Sequence, residues 1–140
     1  MIKRISVFAL CMVICFALCS CGVSDSVKND LWETATYKEN TEFGEGADTI
    51  EVEVKAQDRS VTFTIHTDKE YVGDALMEHH LIAGEKSVYG MYVKTVNGIV
   101  ADYDKDQTYW EFCKDGEVLP TGVDGAKLSD GEHFELVHKK

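Results

Sequence analysis

Between Thr49 and Ile65 apolar side chains fall on every second residue twice over, and no other feature of the chain constrains its fold as strongly. Ile50, Val52 and Val54 alternate with Glu51, Glu53 and Lys55; beyond Asp58-Arg59, Val61, Phe63 and Ile65 repeat the pattern. A period of two is that of a strand with one buried and one wet face. The short polar connection joins the two runs as a hairpin. One buried face demands a cover, so something apolar has to follow.

The period then changes. Val72, Ala75, Leu76, Ile82 and Ala83 share one face at 3.6 residues per turn, which predicts a helix from about Tyr71 to Ile82. Thr67 and Asp68 are expected to cap it, Asp74 sits favourably near its positive end, and Gly84 is expected to stop it. After it the chain reads as extended again: Tyr89 to Val96, Ile99 to Tyr103, Tyr109 to Lys114, Glu117 to Leu119, and His133 to His138. Asn97-Gly98 and Asp115-Gly116 supply the positive φ angles of two-residue turns. A hairpin, one helix and several further strands predict an α+β fold, best fitted by a β-grasp-like mixed sheet with one packed helix.

Before this domain lies a different kind of sequence. Lys3 and Arg4 precede an apolar run from Ile5 to Leu18 that ends in Leu18-Cys19-Ser20-Cys21. A basic start, an apolar stretch of this length and a small residue before the cut describe an export signal over residues 1–20. Cys21 at the first mature position is where a diacylglyceryl anchor is attached, so the expected location is extracytoplasmic, on a bacterial cell membrane. Residues 21–48 are polar and acidic and are expected to form a tether, although Leu31, Trp32, Tyr37 and Phe43 interrupt it. Residues 49–140 form the expected domain.

Charge and cysteine content narrow the function. Without Lys3 and Arg4 the chain carries 12 basic against 25 acidic side chains, a net of −13. Such a surface repels nucleic acid. Only Cys21 and Cys113 survive the cut, and acylation of Cys21 leaves no internal disulfide. Cys113 has no CxxC companion and sits among Glu111, Asp115 and Glu117, which suppress thiolate chemistry. There is no nucleophile elbow, phosphate loop or HExxH, so no enzyme is expected.

The order Val96-Asn97-Gly98, Tyr109-Trp110-Glu111-Phe112, Gly122-Val123, Leu128-Ser129-Asp130-Gly131-Glu132 and Phe134-Glu135-Leu136 resembles the transcobalamin C-terminal-like domain. The preceding hairpin and Val72-Gly73-Asp74-Ala75-Leu76 fit the same order. The resemblance covers about residues 49–140 and implies a β-grasp fold and ligand binding. In the vitamin carriers of that family the domain closes over a corrinoid held on a helical domain; none is present in this chain. The resemblance therefore implies half of a small-molecule site, completed by a partner protein.

Candidate site residues follow from strand alternation. Trp110 and Phe112 point to one side of their strand and build core, while Tyr109 and Glu111 point to the other. Tyr109, Tyr103 and Asn97, exposed together, would offer a flat stacking surface with a polar rim for a planar ligand. Asp102, Asp104 and Asp106 open like a calcium loop, but Gln107 and Cys113 stand where that loop needs glycine and a bidentate carboxylate. They are expected to be a solvated turn. His79 falls near the centre of the predicted helix's apolar face, a satisfied core histidine, and its spacing to His66, His80, His133 and His138 matches no metal motif. No cofactor and no metal are expected. The functional expectation is a lipid-anchored, non-catalytic binding module for a corrinoid or another small ligand; the alternative is an adhesion module for a protein or polymer.

Overall fold

The computed structural model describes residues 29–140; the predicted signal and Cys21 lie outside that range. The alternating runs form β2 (Asp48–Ala56) and β3 (Arg59–Thr67), antiparallel from Asp48 opposite Thr67 to Ala56 opposite Arg59. The alternating reading of their faces holds throughout: Ile50, Val52, Val54, Val61, Phe63 and Ile65 are all buried. The last strand, β9 (His133–Lys139), runs parallel to β2, and β7 (Tyr109–Lys114) pairs antiparallel with β9. With β1 (Thr41–Phe43) and β8 (Glu117–Val118) at the edges, the six-stranded order is β1-β3-β2-β9-β7-β8. A hairpin whose first strand is joined in parallel by the last strand, with a helix in the crossover, is the β-grasp arrangement in an α+β fold.

The crossover carries α1 (Val72–Glu78) and a second sheet in the order β4 (Ile82–Ser87), β5 (Gly90–Val96), β6 (Ile99–Val100). Val72, Ala75 and Leu76 bury the inner face of α1. The helix is shorter than the predicted 71–82. His80 takes the left-handed conformation, φ 56, and two bonds close the end: His80 N–H to the Met77 carbonyl at 3.1 Å and Leu81 N–H to the Leu76 carbonyl at 3.0 Å. That pair is a Schellman motif, and a histidine takes the place usually held by glycine. Ile82, counted on the helical face, instead opens β4 opposite Val96. Gly84, expected to stop the helix, sits in β4 where the register shifts past Lys94 of β5, and a Cβ there would lie 2.0 Å from the Tyr92 carbonyl oxygen.

The predicted caps are also replaced. No side chain caps α1, whose first residues follow Tyr71. Val72 N–H donates to the Ala126 carbonyl at 2.9 Å and Gly73 N–H to the Val123 carbonyl at 2.8 Å. A loop 50 residues away in sequence thus satisfies amides that have no partner inside the helix. Thr67 Oγ1 accepts from Lys69 N–H within the approach turn.

Residues 31–43, placed in the expected tether, are packed. Trp32 is 1% exposed and its Nε1–H donates to the Ala56 carbonyl at 2.9 Å. Tyr37, Phe43 and Phe63 meet edge to face with centroids 5.1–5.7 Å apart. The aromatics that interrupted the acidic stretch close the core beside β3, and the packed region begins well before Thr49. Ile99 to Tyr103 is a two-residue strand followed by a short helix, α2 (Tyr103–Asp106), rather than one strand.

Candidate functional site

Of the three residues expected to form a stacking surface, Asn97 is 1% exposed. Its side-chain amide pairs with Tyr37, accepting from Tyr37 N–H and donating to the Tyr37 carbonyl, both at 2.8 Å. Buried and tied by both bonds, Asn97 holds the N-terminal segment against the β5–β6 turn and presents no open surface to a ligand. The turn chemistry was read correctly, with φ 52 at Asn97 and 79 at Gly98. The surface role was not, because exposure of a turn is decided by what packs over it. Tyr103 is 57% exposed on α2 and Tyr109 is half-buried opposite Lys139. Without Asn97 they have no shared polar rim.

The other candidates resolve into structural roles. Asp102 caps α2 by accepting from Lys105 N–H, and Asp106 accepts from both the N–H and the hydroxyl of Thr108. The thiol of Cys113 is buried; burial, then the Glu111 carboxylate, push its pKa up. Glu135, 7% exposed, accepts from Lys55 Nζ and from Gly116 N–H, both at 2.7 Å. The bond from Lys55 is the main reason its carboxyl titrates below the usual range. Among the described residues no three His, Cys, Asp or Glu side chains converge to hold a metal ion.

Two features remain open to a ligand. The first is a polar cleft of about 300 Å³ where Gly44, His66, Asp68, Glu78 and His79 meet. His79 stacks on Phe43 with centroids 5.2 Å apart, and its Nε2 has no hydrogen-bond partner. The second is the tip of the β4–β5 hairpin. Val88 is 93% and Tyr89 94% exposed, with Tyr92 at 40%. Sequence reading missed this tip because residues 84 to 88, between the predicted helix and the strand read from Tyr89, were assigned to no strand, so β5 had no hairpin partner on that side.

The tip is held, not loose. Ser87 Oγ donates to the Gly90 carbonyl at 2.8 Å, and Met91 N–H donates to Asp124 Oδ2 at 3.0 Å. Asp124 adjoins Val123, which receives the start of α1, so the tip stands at the end of the domain where β3 finishes. The N-terminal segment leaves from the other end: Leu31 N–H donates to Gln57 Oε1 at the β2–β3 turn. Nine residues of β3 separate the two ends, roughly 30 Å at strand rise.

Comparison with known proteins agrees with this architecture. A solved structure from Ruminococcus gnavus ATCC 29149, described as a candidate metal binding protein, is 35% identical. It matches with a TM-score of 0.64 over 67% of this chain and 98% of its own. The chain belongs to the family of that protein. Residues 70–136 match the family described as "Domain of unknown function (DUF4430)". Haptocorrin, solved in complex with Cbi, is 20% identical with a TM-score of 0.53 and shares the fold; the alignment covers 70% of this chain. This family member spans only 26% of the haptocorrin chain. No curated protein matches the sequence.

Proposed function

We propose that the protein is a non-catalytic binding module, anchored to the outside of a bacterial cell membrane through Cys21, that supplies one face of a small-ligand site completed by a partner. The observation that carries this reading is the hairpin tip. Exposed apolar side chains grouped together mark interaction sites, and Val88, Tyr89 and Tyr92 stand on one braced ribbon at the end away from the N-terminal segment. An anchor on Cys21 would direct that tip outward. A flat apolar ligand of the corrinoid class suits it, and the shared fold with haptocorrin, solved with Cbi, supports that choice. One ribbon leaves most of such a ligand wet, whereas good sites bury roughly 70–90% of it. A partner face is therefore part of the proposal.

The bare edge of β4, where Ala83 to Ser87 are all exposed, favours a second reading, capture of an extended protein segment by strand addition. Calorimetric titration of cobalamin into the protein, alone and with a helical corrinoid-binding domain, separates the two. The first reading expects weak binding alone, tighter binding with the partner, and loss of the gain in Tyr89→Ser. No binding in either arm would reject it and leave the strand-capture reading.

A further inference from the structure

The tip of the β4–β5 hairpin is built from residues that do not favour such a turn by themselves. Two-residue hairpin loops prefer Asn, Asp or Gly, whose positive φ matches the twist of the strands. Here Val88 and Tyr89 join Ser87 to Gly90, and neither takes a positive φ. Both side chains are almost wholly exposed, so packing does not fix them either. What holds the loop is polar. Tyr89 N–H donates to Ser87 Oγ at 3.2 Å, Ser87 Oγ donates to the Gly90 carbonyl at 2.8 Å, and Met91 N–H donates to Asp124 Oδ2 at 3.0 Å. The first two bonds lie within the loop and move with it. The third reaches outside it.

Asp124 starts from a fixed backbone. Its neighbour Val123 is buried, and the Val123 carbonyl accepts from Gly73 N–H at the start of α1; Ala126, also buried, accepts from Val72 N–H. The carboxylate lies between two glycines. A Cβ at Gly90 would fall 2.8 Å from Asp124 Oδ1, and one at Gly122 would fall 3.1 Å from the same atom. A side chain at Gly90 would displace the carboxylate, and one at Gly122 would press on it. Gly90, at φ 107, also supplies the positive angle that Val88 and Tyr89 lack.

We propose that Asp124 is a positioning residue for the tip: it ties the loop to the segment that caps α1 and keeps Val88 and Tyr89 in the orientation offered to a ligand. The proposal rests on the reading of the tip as the ligand-bearing element. Asp124 is exposed, and water replaces its bond to Met91 when that bond breaks, so the bond adds little to the stability of the fold. Its effect on binding is larger, because a loop already ordered before the ligand arrives does not have to be ordered by it.

The test compares the full chain in detergent as wild type, Asp124→Ala and Asp124→Asn, the last keeping a side-chain carbonyl that accepts from Met91 N–H. Nitrogen relaxation is expected to give the amides of Tyr89, Gly90 and Met91 order parameters of about 0.85 in the wild type and in Asp124→Asn, and below about 0.6 in Asp124→Ala. Exchange of the Met91 amide is expected to rise about tenfold in Asp124→Ala, with thermal midpoints alike in all three. Titration with cobalamin in the presence of a helical corrinoid-binding domain is expected to show affinity about tenfold weaker in Asp124→Ala and restored in Asp124→Asn. A tip as ordered in Asp124→Ala as in the wild type overturns the positioning role, and an affinity loss beside it would make Asp124 a direct ligand contact. Unchanged affinity with a mobile tip overturns it as well. If no form binds cobalamin, the ligand reading of the tip fails, and the order parameters alone decide whether Asp124 holds the loop.

Discussion

The side-chain amide of Asn97 forms two hydrogen bonds with the backbone of Tyr37, each 2.8 Å long, across 60 residues of sequence. Thr36 N–H adds a third link to the Asn97 carbonyl at 2.9 Å. Asn97→Ala leaves two buried backbone groups unpaired, at a cost of about 1–3 kcal/mol, and strains a turn residue with φ 52. Urea denaturation should show the loss, and ligand affinity should be unchanged once the variant is folded. Affinity falling without a stability loss would return Asn97 to the binding surface.

Trp32 makes the same segment part of the domain. With the indole 1% exposed and bonded to Ala56, Trp32→Ala should cost about 3–5 kcal/mol. A chain beginning at Thr49, lacking Trp32, Tyr37 and Phe43, should be far less stable than one beginning at Asn29. Equal denaturation midpoints for the two would show that residues 29–48 only decorate the fold.

Gly73 tests the contact between α1 and the loop that caps it. Alanine inside a helix is worth about 1 kcal/mol over glycine, so helix propensity alone expects a gain. A Cβ at Gly73 would, however, lie 3.1 Å from the carbonyl of Val123 and from Asp124 N. Those are backbone atoms fixed by the Gly73–Val123 bond, and overpacking of this kind costs about 1–3 kcal/mol. Gly73→Ala should therefore be net destabilising by thermal unfolding, and a raised Tm would show that the loop yields.

Glu135 makes stability depend on pH. Its carboxyl titrates below the ordinary 4.5, chiefly through Lys55, so the folded state binds its proton less readily than the unfolded chain. The contribution is present in full above pH 4.5 and is lost as pH falls through the lower folded value. Glu135→Gln should lower the urea midpoint at neutral pH and flatten its decline between about pH 5 and pH 3. A parallel decline in wild type and variant would place the acid sensitivity elsewhere.

The proposed anchor is attached at the Cys21 thiol, and on that proposal Cys21→Ala should remove it. Intact-mass measurement on the membrane fraction of expressing cells should find an acylated chain starting at Cys21 in the wild type only. A wild-type chain still starting at Met1, without added mass, would end the anchoring proposal.

The local order of the chain determined much of the fold. The β2–β3 hairpin, β7, β9 and the two Asx-Gly turns follow from side-chain alternation and from residues that tolerate positive φ, which neighbouring residues alone decide. The inward aim of Trp110 and Phe112 came from the same rule. Tertiary structure decided where that rule was silent. Leu81 and Ile82 bury equally well as helix or strand, so the end of α1 awaited His80 in the left-handed conformation and Val96 as a strand partner. Capping of α1 by Val123 and Ala126, the parallel pairing of β1 with β3, and the burial of Asn97 by Tyr37 all join residues 20 to 60 positions apart. Such contacts leave no periodic trace, because each is set by which surfaces meet once the chain has folded. For the same reason the exposed aromatics were assigned to Tyr109 and Tyr103, while the braced tip at Val88 and Tyr89 emerged only when β4 did.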